Sequence, residues 1–108
     1  MSKGNDTFSA LADPTRRSIL ELLRQHETMT AGGIAARFPM VSRPAISKHL
    51  AVLRRARLVR AREQGREWHY ALDARPLGEI YRSWLSPFAS HWRQSLERLK
   101  QQVESRDG

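Results

Sequence analysis

The side chains in this sequence best equipped for chemistry are cations and hydroxyls, and they lie together. Arg43, Ser47 and Lys48 are followed by Arg54, Arg55, Arg57, Arg60, Arg62 and Arg66. Residues 42–66 hold eight basic side chains against one acid, Glu63, whereas the rest of the chain nearly balances at eleven basic and ten acidic. A solvated surface usually mixes signs, so a one-sided patch of this density implies a polyanion, most simply a phosphate backbone. Guanidinium forks suit phosphate oxygens and the O6/N7 edge of guanine, and serine and lysine add further donors. An anionic membrane fits less well, because the basic stretch leaves no broad aromatic or leucine face for lipid.

Catalytic chemistry finds little to work with. The sequence has no Gly-rich phosphate loop, no cysteine nucleophile, and no Ser-His-Asp or paired-carboxylate spacing, so no enzyme is expected. Zero cysteines remove disulfides, thiolate metal sites and thiol redox sensing together. His26, His49, His69 and His91 are scattered without an i, i+4 pair, and a metal needs several converging ligands. No metal and no cofactor are therefore expected.

The patch needs elements to hold it. Val41–Arg55 reads as a helix capped by Ser42, with Pro44 tolerated in the first turn. Ile46, Leu50 and Leu53 recur at i, i+4 and i+7 as one core-facing stripe, with Arg43, Ser47, Lys48 and Arg54 largely off it. Ahead of it, Asn5 or Asp6 could cap a first short helix through Phe8, Leu11 and Ala12. Asp13-Pro14 starts a stronger one, from Pro14 to about Gln25, burying Ile19, Leu20, Leu22 and Leu23. Thr28–Thr30 is a break or a short extended piece, and Thr30 can cap a third helix from Ala31 to Phe38. Gly32 and Gly33 either weaken that helix or admit a close neighbour. Pro39 ends it, and a turn of about four residues leads into the basic helix, which makes a helix-turn-helix.

After Arg57 the period changes to two. Leu58–Glu63 and Arg66–Leu72 alternate around Gln64-Gly65, the pattern of a β-hairpin. A lone hairpin is marginal, so it should pack on the helices through some combination of Leu58, Trp68, Tyr70 and Leu72. A hairpin after a reading helix is the wing of a winged helix-turn-helix. Asp73–Pro76 then opens a helical tail carrying Leu77, Ile80, Tyr81, Trp84 and Leu85, where Pro87 either starts a new helix or kinks a continuous one. Phe88, Trp92, Leu96, Leu99 and Val103 prolong the apolar stripe.

The expected fold is thus mainly α with a small β-hairpin, a winged helix-turn-helix with an extended C-terminal helical dimerisation region. The 108 residues, 40% hydrophobic and 28% charged, are expected to form a single domain over 1–108. One small domain cannot easily cover so long an aromatic stripe. Phe8, Leu11, Tyr81, Trp84, Phe88, Trp92, Leu96 and Leu99, on segments 1–12 and 74–105, are therefore expected to form a homodimer interface. The alternative is that the tail folds back on its own core. No apolar run approaches a membrane span and the N-terminus lacks the apolar core of a signal peptide, so no membrane partner and a cytoplasmic location are expected.

The ordered motifs Ala10–Leu23, Ser42–Leu50, Leu53–Val59 and Gln64–Leu72 resemble the ArsR (arsenical-resistance repressor) family of bacterial winged-helix transcription factors. The resemblance covers roughly residues 7–85, and the tail looks like the metal-independent branch. It implies a dimeric repressor that releases its operator when an inducer binds. The family's metal sites do not carry over: there is no cysteine box, and the C-terminal region offers Asp73, His91 and Glu97 without the family's Asp-x-His pattern and second His pair. A sequence-neutral nucleic-acid binder is the rival reading, against which the helix-turn-helix and wing argue.

The expected function is sequence-specific regulation of transcription through double-stranded DNA, with helix 42–55 and hairpin 58–72 on an inverted-repeat operator. The expected DNA-contacting set is Ser42, Arg43, Pro44, Ser47, Lys48, His49, Arg54, Arg55, Arg62, Gln64 and Arg66. Arg43 is the leading base reader, and Arg54 and Arg55 should meet backbone. His49 either packs or touches a phosphate, and Arg16 and Arg17 either reach a flanking phosphate or are solvated. Trp68, Trp84 and Trp92 are the candidate lining for an unidentified small-molecule inducer, against the plainer reading of such aromatics as core or interface.

Overall fold

The computed structural model describes residues 3–107, with side chains from Asp6 to Ser105. The chain divides between Leu77 and Gly78 into two compact units.

The first unit opens with α1 (Lys3–Leu11), so Asn5 and Asp6 lie inside that helix rather than capping it. α2 (Pro14–Arg24) starts as its sequence dictates: the Asp13 carboxylate accepts from the Arg16 N–H at 3.0 Å and Pro14 takes a position that needs no donor. α3 (Ala31–Ala36) is capped by Thr30, whose hydroxyl accepts from the Gly33 N–H at 3.0 Å. It stops two residues short of the expected Phe38, and Phe38 packs half-buried against the core. α4 (Arg43–Arg55) is the basic helix, with Ser42 accepting from the Ala45 N–H at 3.2 Å.

The two glycines of α3 divide between the readings left open above. A Cβ on Gly33 would sit 3.2 Å from the capping Thr30 oxygen, so this position serves close approach. A Cβ on Gly32 would meet only the Arg43 guanidinium, at 4.0 Å.

α4 ends in a Schellman closure. Leu58 N–H donates to Leu53 O and Arg57 N–H to Arg54 O, both at 3.0 Å, with Arg57 in the left-handed region at φ 62°. β2 (Val59–Gln64) and β3 (Glu67–Leu72) then pair antiparallel through the two-residue loop Gly65-Arg66, where Gly65 has φ 65° as a II′ hairpin turn requires. The break at 28–30 becomes a strand of its own. β1 (Met29–Thr30) pairs with β3, Met29 opposite Tyr70 and Thr30 opposite His69, giving a three-stranded sheet in the order β1-β3-β2. The core beneath gathers Ile19 and Leu23 of α2, Ile34 of α3, Ile46, Leu50 and Leu53 of α4, and Leu58 and Val59 at the foot of the wing. Tyr70, Leu72 and Leu77 pack against it in part. Trp68, one of the expected packing residues, is 41% exposed, because the hairpin carries it outward toward the tip. Leu11 is half-buried against this same core.

α5 (Arg75–Ile80) crosses the boundary between the units. In the second unit a π-helical turn (Tyr81–Leu85) is followed by α6 (Ser86–Asp107). Ile80 and Ser86 both keep right-handed helical torsions, so the turn runs into α6 without a break. Pro87 can donate nothing to the carbonyl four residues back and would crowd it. The wider π turn accommodates this, with Ser86 N–H reaching back five residues to Tyr81 O and the Ser86 hydroxyl donating to Arg82 O at 3.3 Å. Trp84, Phe88, Trp92, Leu96, Leu99 and Val103 are each 44–62% exposed, and Trp84 meets Phe88 at 5.1 Å between ring centres.

Candidate nucleic-acid interface

Every feature of the interface follows from how α4 is anchored. Its buried stripe Ile46, Leu50 and Leu53 fixes one side against the core, which leaves Ser42, Arg43, Pro44, Ser47 and Lys48 exposed around the N-terminal half. The helix dipole makes that end attractive to anions. Ser42 already spends its hydroxyl oxygen as cap acceptor. Arg43 is exposed, its guanidinium lying beside Gly32 of α3.

Toward its C-terminal end α4 faces the wing across an open groove of about 440 Å³, lined by Ser47, Leu50, Ala51, Arg54, Arg55 and Tyr70. Arg54 and Arg55 are both exposed here, and the Arg54 guanidinium lies 5.2 Å from the centre of the Trp68 ring. That cation–π contact bridges α4 and the hairpin, and it gives Trp68 a role sequence reasoning missed. Spacing along one chain segment carries no signal for it, since the partners are brought together by the hairpin's return. Tyr70 in the groove was missed as a site residue for the same reason.

Arg62, Gln64 and Arg66 are exposed at the hairpin, with Arg62 opposite His69, Gln64 opposite Glu67, and Arg66 in the turn. Two of the patch's arginines, Arg57 and Arg60, lie exposed at the wing's base. Asp73, 7% exposed, accepts a bidentate pair from Arg75 at 2.5–3.1 Å, and Arg60 Nε approaches it to 4.0 Å. The Arg75 hydrogen bonds hold the Asp73 carboxyl at about 2 against a usual 3.8, overcoming the opposing effect of burial. Arg57 provides the helix stop described above.

Arg16, Arg17 and His49 all have partners within the protein. Arg16 donates from Nε to Ala10 O at 2.8 Å and from Nη2 to Ser9 O at 3.1 Å, and its Nη1 lies 3.3 Å from His49 Nδ1. Arg17 Nη1 donates to Leu11 O at 2.7 Å. These two cations thus cap the last carbonyls of α1. The His49 side chain is 19% exposed, between Arg16 and the Asp13 carboxylate at 3.9 Å. The Arg16 backbone hydrogen bond is the largest influence lowering the Asp13 pKa, and the nearby Arg16 charge adds to it.

Among the described residues, no three His, Asp or Glu side chains converge as a metal would require. No described helix is long and apolar enough to cross a membrane.

A helix-turn-helix domain family model matches residues 11–62. The transcriptional repressor SdpR of Bacillus subtilis is 39% identical over 84 residues, covering 78% of this chain and 90% of that protein. The HTH-type transcriptional regulator Rv2034 of Mycobacterium tuberculosis is 42% identical over 98 residues, covering 91% of this chain and 86% of that one. Among solved structures, an ArsR-like transcriptional regulator from Rhodococcus sp. RHA1 superposes with a TM-score of 0.72 at 36% identity, over 95% of this chain and 92% of that chain.

Proposed function

Because the chain belongs to the ArsR family of winged helix-turn-helix transcriptional regulators, DNA-binding proteins rather than enzymes, we propose that it is a homodimeric repressor that reads an inverted-repeat operator. Each α4 enters a major groove by its N-terminal half, Arg43 presents its fork to a guanine edge, and Ser47 and Lys48 add donors beside it. Arg54 and Arg55 meet backbone across the groove toward the wing. Arg62, Gln64 and Arg66 reach the adjacent minor groove.

The observation that carries this reading is the exposure of Ser42, Arg43, Ser47 and Lys48 on one side of a helix whose other side is locked into the core. A repressor role is supported by the similar Bacillus protein, which bears that name. A homodimer is supported by the stripe from Trp84 to Val103, whose length of exposed aromatic and aliphatic surface suits a second copy of the same helix. Residence in the cytoplasm fits an operator-binding role.

The test is selection of duplexes from a randomised library, followed by affinity measurement on the enriched duplex and on a scrambled duplex of equal length. Preference for the enriched sequence by a factor of about a thousand or more is expected. Equal affinity for the two would remove the specific-repressor reading in favour of sequence-neutral binding.

A further inference from the structure

From the contacts of His49 we propose that Arg16 and His49 form a clasp that sets the angle at which α4 presents its reading side chains. The proposal rests on the DNA-reading role given above and adds positioning residues to it.

The guanidinium of Arg16 uses its three nitrogens on three different groups: Nε on Ala10 O, Nη2 on Ser9 O, and Nη1 on His49 Nδ1. A guanidinium only donates, so Nδ1 must be the unprotonated, accepting nitrogen of a neutral ring. The backbone of Arg16 is fixed in turn by the Asp13 cap at 3.0 Å, and the same carboxylate oxygen lies 3.9 Å from Nδ1. One side chain therefore joins the end of α1, the start of α2 and the shoulder of α4. His49 directly precedes the buried Leu50 and directly follows the exposed Lys48. The core stripe holds α4 down, while a contact at the shoulder resists rolling of the helix, the motion that would re-aim Ser47 and Lys48. With three of its five N–H donors engaged inside the protein, Arg16 is held in place beside the interface and acts through His49.

The experiment compares wild type, His49→Ala, His49→Asn, Arg16→Lys and the double variant Arg16→Lys/His49→Ala. Affinities are measured on the library-enriched duplex and its scrambled counterpart across a salt series, with stability checked by denaturant unfolding. The side-chain oxygen of an asparagine at this position would stand where Nδ1 stands, so His49→Asn can still accept from Arg16. Lysine keeps the charge but has no fork to hold both helices at once. His49→Ala and Arg16→Lys should each lose about five- to ten-fold on the enriched duplex, with scrambled-duplex affinity and salt slope unchanged, and the double variant should be no worse than the poorer single. His49→Asn should recover to within about two-fold.

A salt slope shallower by about 0.9 for each bound copy in His49→Ala would make His49 a direct phosphate contact and overturn the clasp. Equal losses on both duplexes, additive losses in the double variant, or wild-type affinity in His49→Ala would each overturn it as well. Wild-type protein that fails to distinguish the duplexes at all is a separate result: it removes the DNA-reading premise, and the clasp's role falls with it.

Discussion

Arg43 and Arg55 are both exposed on α4, at its opposite ends, and the two should fail differently when truncated. Arg43→Ala should relax sequence preference by about 1–3 kcal/mol at one base position, measured as the affinity ratio between matched and mismatched duplexes. Arg55→Ala should weaken every duplex alike and make the salt slope shallower by about 0.9 for each copy bound, about 1.8 for a dimer. Asp73 makes a prediction about acid. Its folded-state pKa, about 2, lies below the usual 3.8, so folding favours the ionised form. That contribution is complete above about pH 4 and disappears as pH falls through about 2. Asp73→Asn should therefore cost about 1–2 kcal/mol near neutrality and progressively less toward pH 2, read from denaturant midpoints across that range. Arg57, held at φ 62°, carries the strain of a left-handed residue with a Cβ. Arg57→Gly should raise stability by about 1 kcal/mol, seen as a higher denaturant midpoint at unchanged slope. Which residue roles could be read in the sequence follows from distance along the chain. Asp13, Thr30 and Ser42 cap helices by bonding a backbone N–H three residues ahead, and that chemistry is visible in the local order of residues. Arg16 and His49 meet across 33 positions, and only the folded packing of α2 on α4 brings them together. Arg57 carries no local signal either, since glycine or asparagine is the usual mark of such a helix end.

The elements themselves repeat that lesson on a larger scale. Helices α2 and α4 have long apolar periods and side-chain caps, so their extents could be read within a residue or so. β1 is two residues long, too short for any alternation, and exists because β3 offers a free edge for Met29 and Thr30. Trp68 shares the alternation of Tyr70 and Leu72, but pattern alone cannot say where along the hairpin the core ends. The π turn at Tyr81–Leu85 resolves whether Pro87 starts or kinks a helix in a third way: the helix widens before the proline. In α3, helix propensity and close packing pull apart at adjacent positions. Gly32→Ala should stabilise by about 0.5–1 kcal/mol, because its new methyl meets only the flexible end of Arg43. Gly33→Ala should gain nothing, since the 3.2 Å approach to Thr30 falls on the oxygen that accepts the cap hydrogen bond. Thermal unfolding of the two variants side by side separates these outcomes.

For the whole molecule the decisive quantity is how many copies meet the DNA. Trp84, Phe88, Trp92, Leu96, Leu99 and Val103 present more apolar surface than single exposed residues on a monomer normally do. Two copies joined through this face would bring two α4 helices, and an inverted repeat offers them half-sites on the order of 34 Å apart. If such a pair neutralises about six to ten phosphates, log affinity should fall with log salt at a slope of about −5 to −9. Trp92 and Leu99 are 62% and 57% exposed in the isolated chain, so replacing both by Glu should leave each copy folded while repelling the partner. Sedimentation should then show a dimer for wild type at micromolar concentration and a monomer for Trp92→Glu/Leu99→Glu. On the inverted repeat, that variant should keep only the affinity wild type has for a single half-site, and its salt slope should halve. The halving matters more than the loss of affinity. A variant that had merely damaged the reading helix would bind weakly and still release the counterions of two copies, so an unchanged slope with a monomeric sedimentation profile would mean one copy makes all the contacts.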